Sequence, residues 1–155
     1  MDKEFQITYD SLYSVADSLF FRDTRYINMR EQNGKKVFWG RGNGWVTGAL
    51  TFIIDNMPAQ HPSRVFYISL FRQMLKKIST LQDKQGFWHS SLLDTASYPM
   101  PETSASVSSH IACSGALIMD ILKKKNICPS QKKLECISFR RTRRRQDRLC
   151  TTNRS

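Results

Sequence analysis

The sequence has no stretch long and apolar enough to cross a membrane as a helix, so a helical membrane protein is excluded from the reading. Its first ten residues, MDKEFQITYD, are charged and contain no apolar run. No secretory signal is read there, and a cytoplasmic product is expected. Cysteine is scarce: four residues, at 113, 128, 136 and 150, with no Cys-x-x-Cys pair and no metal-ligand spacing to the three histidines. That pattern points to free thiols and to no metal centre. Acids are scarce at one end only. From Lys123 onward, 12 Lys and Arg face only Glu135 and Asp147, for a charge of +10. The first 122 residues carry the remaining +1 of the total +11. Two compositions are therefore joined, a globular segment at 1–125 and a basic, weakly apolar tail at 126–155 that reads as disordered. The 155 residues suffice for one domain with a real core.

Glycine is also sparse, seven residues in all, yet three of them stand at 40, 42 and 44 inside "FWGRGNGW". Glycine is costly inside a regular helix or strand. Its clustering between Trp39, Arg41 and Trp45 implies a backbone that passes close to something.

Helical periodicity organises most of the globular segment. Phe5, Tyr9, Leu12, Tyr13 and Ala16 predict a helix over 3–16. Asn33-Gly34, between "RYINMR" and "KKVFW", predicts a small β-hairpin. Trp45, Ala49, Phe52, Ile53 and Met57 form a stripe that Val46, Leu50 and Ile54 widen almost to the full circumference. That is an inner helix, buried on most sides. Ile68, Phe71, Leu75, Ile78 and Leu81 face away from Arg72, Lys76 and Lys77 and give an outer helix. After a long loop, Val107, Ile111, Ile118 and Leu122 mark another inner helix, with Lys123 to Lys125 at its end. Alternating inner and outer helices, with polar aromatic loops before the inner ones, suit an all-α toroid of helical hairpins.

Four groups of residues can carry chemistry. Trp39, Arg41 and Trp45 can form a platform for an acidic sugar, the rings stacking and the arginine gripping a carboxylate. The same tryptophans also suit a core. In "FWHSSLLDTASYPMPETS", Trp88 and His89 can line such a site, and His89 can bond a hydroxyl or move a proton. His89 equally suits a structural hydrogen bond, Asp94 a turn cap, and Glu102 a helix start. Asp23, between Arg22 and Arg25, can accept a substrate hydroxyl or pair with an arginine. Finally, "RRTRRR" can bind an anionic polymer such as nucleic acid. It lacks interleaved aromatics, so a solvated extension is favoured.

Taken in order, "FFRDTRYINMREQNGKKVFWGRGNGWV", "HPSR", "LQDKQGFWHSSLLDTASYP" and "PETSAS" closely resemble the unsaturated rhamnogalacturonyl hydrolases, glycoside hydrolase family 105. The resemblance runs from about Met1 to about Lys123. It implies a partial (α/α)6 barrel of the six-hairpin type, carrying a small β-hairpin. It also implies hydrolytic removal of a 4,5-unsaturated galacturonyl residue from pectin-derived oligosaccharides by hydration of the vinyl ether, without metal or organic cofactor. Matched by motif, Trp39, Arg41 and Trp45 line the sugar pocket, and Trp88 and His89 lie on a loop beside it. The family's catalytic aspartate is expected upstream of Met1, which leaves Asp23 as the candidate acid within this chain. The expectation is a truncated fragment of such a hydrolase. A noncatalytic carbohydrate-binding remnant or a basic nucleic-acid-binding protein is the alternative. The expected partner is an unsaturated galacturonyl-rhamnose oligosaccharide.

Overall fold

A computed structural model describes residues 2 to 118. The basic segment at 126–155, with the disorder expected for it, lies outside the described residues, as do Cys128, Cys136 and Cys150. Four helices carry the fold: α1 (Asp2–Leu12), α2 (Gly40–Asn56), α3 (Arg64–Ser79) and α4 (Thr103–Ile118). Two short strands, β1 (Tyr13–Ser14) and β2 (Leu19–Phe20), pair antiparallel after α1, and one 3-10 turn spans Thr24–Tyr26.

The first helix stops at Leu12, four residues short of the expected end. At Tyr13 the backbone turns extended, and the Tyr13 ring lies 4.8 Å from Tyr9 and 4.9 Å from its strand partner Phe20. Ser14 O accepts from the amides of Asp17 and Ser18, and Ser18 takes the left-handed conformation, φ 55°. The apolar spacing at Tyr13 thus serves a tight hairpin, not another helical turn.

The turn at Asn33-Gly34 forms, but its strands do not. Gly34 adopts φ 78°, Glu31 N donates to Lys35 O at 2.8 Å, and a single bridge joins Arg30 to Lys36. Beyond that bridge the two arms find other partners. Residues 24 to 26 coil into the 3-10 turn. On the other arm, Phe38 O accepts from Leu92 N at 2.9 Å, and Trp39 bridges Ser91. The small two-stranded sheet therefore lies at residues 13–20, not at 25–39.

Helix α2 ends where Met57, ahead of Pro58, turns extended as a residue before proline prefers. Arg64 Nη1 donates to Ile54 O and Met57 O at 2.7 and 2.6 Å, satisfying carbonyls at that end. This ties α3 to α2. Helix α3 buries Tyr67, Leu70, Phe71, Met74, Leu75 and Ile78; Phe71, Leu75 and Ile78 belong to the face that the periodicity predicts, whereas Ile68 and Leu81 are only partly buried.

The inner helices differ from expectation in which face is buried. Among the described residues, α2 buries Asn43, Gly44, Thr47, Leu50 and Ile54, whereas Trp45 and Phe52 are each 65% exposed. Helix α4 buries Ala105, Ser109, Ala112, Cys113 and Ala116 and exposes Val107 and Ile111. The reason is distance. A methyl group at Gly44 would stand 3.1 Å from the Ser108 Cβ, and one at Gly115 only 2.2 Å from the Thr51 methyl. The two helices meet along small residues, and their bulky residues point elsewhere.

Candidate functional site

The loops at 20–39 and 88–102 meet where α2 and α4 both begin. Three backbone links fix them. Gly40 N donates to Ser90 O at 2.8 Å, Leu92 N to Phe38 O at 2.9 Å, and Glu102 N to Trp88 O at 2.8 Å. A Cβ at Gly40 would lie 2.3 Å from the His89 carbonyl oxygen. Gly40 and Gly44 thus accommodate the 88–102 loop and the start of α4, whereas Gly42 faces open space. Asn43 was not legible as a key residue. Its buried side-chain amide accepts from Phe20 N at 2.8 Å and donates to Phe20 O at 3.0 Å, fastening β2 to the first turn of α2. A buried asparagine inside a helix was the available signal, and glycine-rich surroundings masked it.

Trp39, the residue before α2, is half-buried between the rings of Tyr26 and Tyr98, both edge-on, at 6.3 and 5.6 Å. Its shielded indole N–H has no partner among the described residues. Arg41 stands on the first turn of α2. Its Nε donates to Ser104 Oγ and its Nη2 to Glu102 Oε1, each at 3.0 Å. Trp45 follows one turn later on the same side of the helix. Two exposed side chains, one cationic and one aromatic, therefore stand together on one side of α2. The start of α2 carries no acidic residue and no capping side chain, so its dipole favours an anion.

Glu102 is the other fixed point. Burial alone would raise its pKa. Hydrogen bonds from Ser104, from the Ala105 amide and from Arg41 outweigh burial and hold the carboxyl below the usual glutamate range. It caps α4, as its place before Thr103 predicts.

The remaining expected site residues sit differently. Trp88 is wholly buried. Its indole N–H donates to Ile78 O at 2.8 Å, and its ring meets His110 edge-on, so no face is open to a sugar. Its place is in the core, because its polar end finds a carbonyl of α3. His89 is 8% exposed, with Nδ1 3.0 Å from Tyr98 O and Nε2 3.2 Å from Asp83 Oδ2. The carbonyl can only accept, so Nδ1 carries a proton. This ring ties the loop bearing Tyr98 to the turn at Asp83. Asp23 caps the 3-10 turn and grips Arg25 with both oxygens, each at 3.0 Å. Arg25 holds its carboxyl below the usual range, an arrangement suited to pairing rather than to giving up a proton. Asp94 is buried and accepts weakly from Ser97 N at 3.3 Å, the turn-capping role. Among the described residues no three His, Cys, Asp or Glu side chains are grouped to hold a metal ion.

Paired inner helices backed by an outer one, with aromatic and charged loops gathered at the inner helices' N-terminal end, define part of an α/α six-hairpin glycosidase. The particular family follows from comparison: residues 1–145 match the sequence profile of Glycosyl Hydrolase Family 88, and the chain belongs to that family. The match runs past residue 125 into the basic segment. A family 88 glycosyl hydrolase from Bacteroides vulgatus superposes with a TM-score of 0.78 at 30% identity, over 80% of this chain and 36% of that one. A family 105 glycoside hydrolase from C. acetobutylicum shares the fold, with a TM-score of 0.63 at 23% identity over 81% of this chain and 39% of that one. Two curated relatives are called unsaturated 3S-rhamnoglycuronyl hydrolase. The one from Formosa agariphila is 37% identical over 86% of this chain, and that from an Alteromonas species is 44% identical over 66%. The chain spans 37% and 25% of those relatives' own lengths.

Proposed function

We propose that this chain supplies the substrate-gripping section of a hydrolase that removes a 4,5-unsaturated uronyl residue from a rhamnose-containing oligosaccharide. The observation that carries the proposal is the exposed Arg41–Trp45 pair, with Arg41 braced by Glu102 and Ser104. A uronyl ring needs both partners: a cation for its carboxylate and an aromatic face for its carbons. The relatives' names support the same class of substrate. They specify a glycuronyl residue, a general term that includes the galacturonyl one implied by the motif resemblance. The 4,5-double bond removes the C4 stereocentre that distinguishes galacturonyl from glucuronyl, so one unsaturated ring arises from either. Any difference lies in the sugar attached to it.

In this reading the reaction is hydration of the vinyl ether, followed by collapse of the hemiketal and release of the rhamnose-linked product. Arg41 holds the carboxylate conjugated to the double bond, and Trp45 covers the flat ring. Asp23 is not assigned the proton transfer, because Arg25 keeps it ionised.

The test is a chimaera in which residues 2–118 replace the matching segment of the Alteromonas relative. Loss of the enol-ether ultraviolet absorbance of an unsaturated uronyl-rhamnose disaccharide reports turnover. Arg41→Ala should lower kcat/KM by about 10- to 100-fold, the worth of a charge-assisted hydrogen bond. Unchanged kinetics with a lowered Tm would return Arg41 to a structural role.

A further inference from the structure

Glu102 does more than cap α4. Oε1 accepts from Arg41 Nη2 at 3.0 Å and from Ser104 Oγ at 2.7 Å, while Oε2 accepts from Ser104 Oγ at 2.9 Å and from the Ala105 amide. Its side chain is 13% exposed, and that of Arg41 is 68% exposed. The carboxylate is anchored and the guanidinium is the outer member.

Capping α4 requires only the amide contact. Exposed ion pairs add little to stability. Neither need explains why an arginine on α2 reaches across to the start of α4. Geometry does. A guanidinium offers five N–H donors on a planar fork. The edge formed by Nε and one Nη2 hydrogen is taken by Ser104 and Glu102. The end edge, formed by Nη1–H and the other Nη2–H, has no hydrogen-bond partner among the described residues. That edge grips a planar carboxylate with two parallel hydrogen bonds.

We infer that Glu102, assisted by Ser104, is a positioning residue: it clamps the side edge of Arg41 so that the end edge meets the carboxylate of the unsaturated uronyl residue. Glu102 touches no substrate and acts only through Arg41. The inference rests on the proposed role of Arg41.

The experiment titrates the 155-residue chain calorimetrically with two probes, an unsaturated uronyl-rhamnose disaccharide and its carboxyl-reduced, neutral counterpart. The native chain should prefer the charged probe, and Arg41→Ala should erase that preference. Glu102→Gln should reduce the preference about tenfold, the worth of one charge-assisted contact, and should change nothing in the Arg41→Ala background. Ser104→Ala, which leaves the Glu102 carboxylate at the helix start, should reduce it in the same sense. An intact preference in Glu102→Gln, or an equal loss for both probes, overturns the inference while leaving Arg41 as the carboxylate ligand. An intact preference in Arg41→Ala overturns the role of Arg41, and the inference with it. A measurement without ligand is also decisive. The Arg41 Nη2–H resonance should be protected from water exchange in the native chain and lose that protection in Glu102→Gln. Unchanged protection would show that Glu102 does not hold the guanidinium.

Discussion

Trp88 and Trp45 share a side chain and have opposite surroundings. Trp88 fills the core and spends its N–H on Ile78 O, whereas Trp45 is 65% exposed. Trp88→Ala should cost about 3 to 5 kcal/mol of stability, and Trp45→Ala within about 0.5 kcal/mol. Urea denaturation of the two variants separates these roles, and equal losses would contradict the burial difference. Sequence alone could not tell these rings apart, because each sits in a polar, aromatic neighbourhood along the chain. What separates them is contact with α3, which spacing within one motif does not encode. Glu102 carries a pH signature. Its pKa is lower in the folded chain than the ordinary glutamate value of 4.5, so its stabilisation is full above that value. It is lost as the pH falls through the folded value. Melting curves of the native chain and Glu102→Gln should therefore converge as the pH drops below about 4.5. A constant gap down to strongly acidic pH would mean that Glu102 contributes no ionised contact.

At the scale of elements, α3 was legible because its bulky residues make the core contact themselves. The inner pair was only partly legible, since small residues make the contact between α2 and α4 and the eye follows large ones. The 31–39 segment shows a second limit. Its turn was written locally in Asn33-Gly34, but its arm pairs with residues 90–92, a choice made by tertiary contact. The α2–α4 contact makes a specific prediction. Thr51 Oγ1 donates to Thr47 O at 3.1 Å, which fixes the Thr51 methyl against Gly115. Gly115→Ala brings a methyl group into that space and should destabilise by about 1 to 3 kcal/mol, less the roughly 1 kcal/mol that alanine gains over glycine in a helix. Thr51→Ser removes the obstructing methyl. In that background Gly115→Ala should become neutral or stabilising by up to about 1 kcal/mol. A double-mutant cycle by thermal melting reads the change of sign. Additive losses would mean that the Thr51 methyl is not what the new methyl group meets.

For the whole molecule, the question is what the open apolar faces do in solution. Helix α2 shows Trp45 and Phe52 two turns apart, and α4 shows Val107 and Ile111 one turn apart, each about half or more exposed. Burying such side chains is favourable by about 1.5 to 3 kcal/mol each. Scattered exposed residues such as Val65 are ordinary, but paired ones along two adjacent helices are an association hazard. The purified chain should therefore self-associate as its concentration rises, seen in sedimentation velocity, and should bind a dye that reports apolar surface. Phe52→Glu combined with Ile111→Glu should suppress both effects with little change in Tm. The control lies in the sign of the charge. The chain carries +11, so two added acids weaken its self-repulsion and, through charge alone, would promote association. A fall in association thus has to come from the lost apolar surface. Val65→Glu, on α3 and away from both faces, should change nothing. Association that persists in the double variant, or disappears equally in Val65→Glu, would show that these faces are not what brings the chains together.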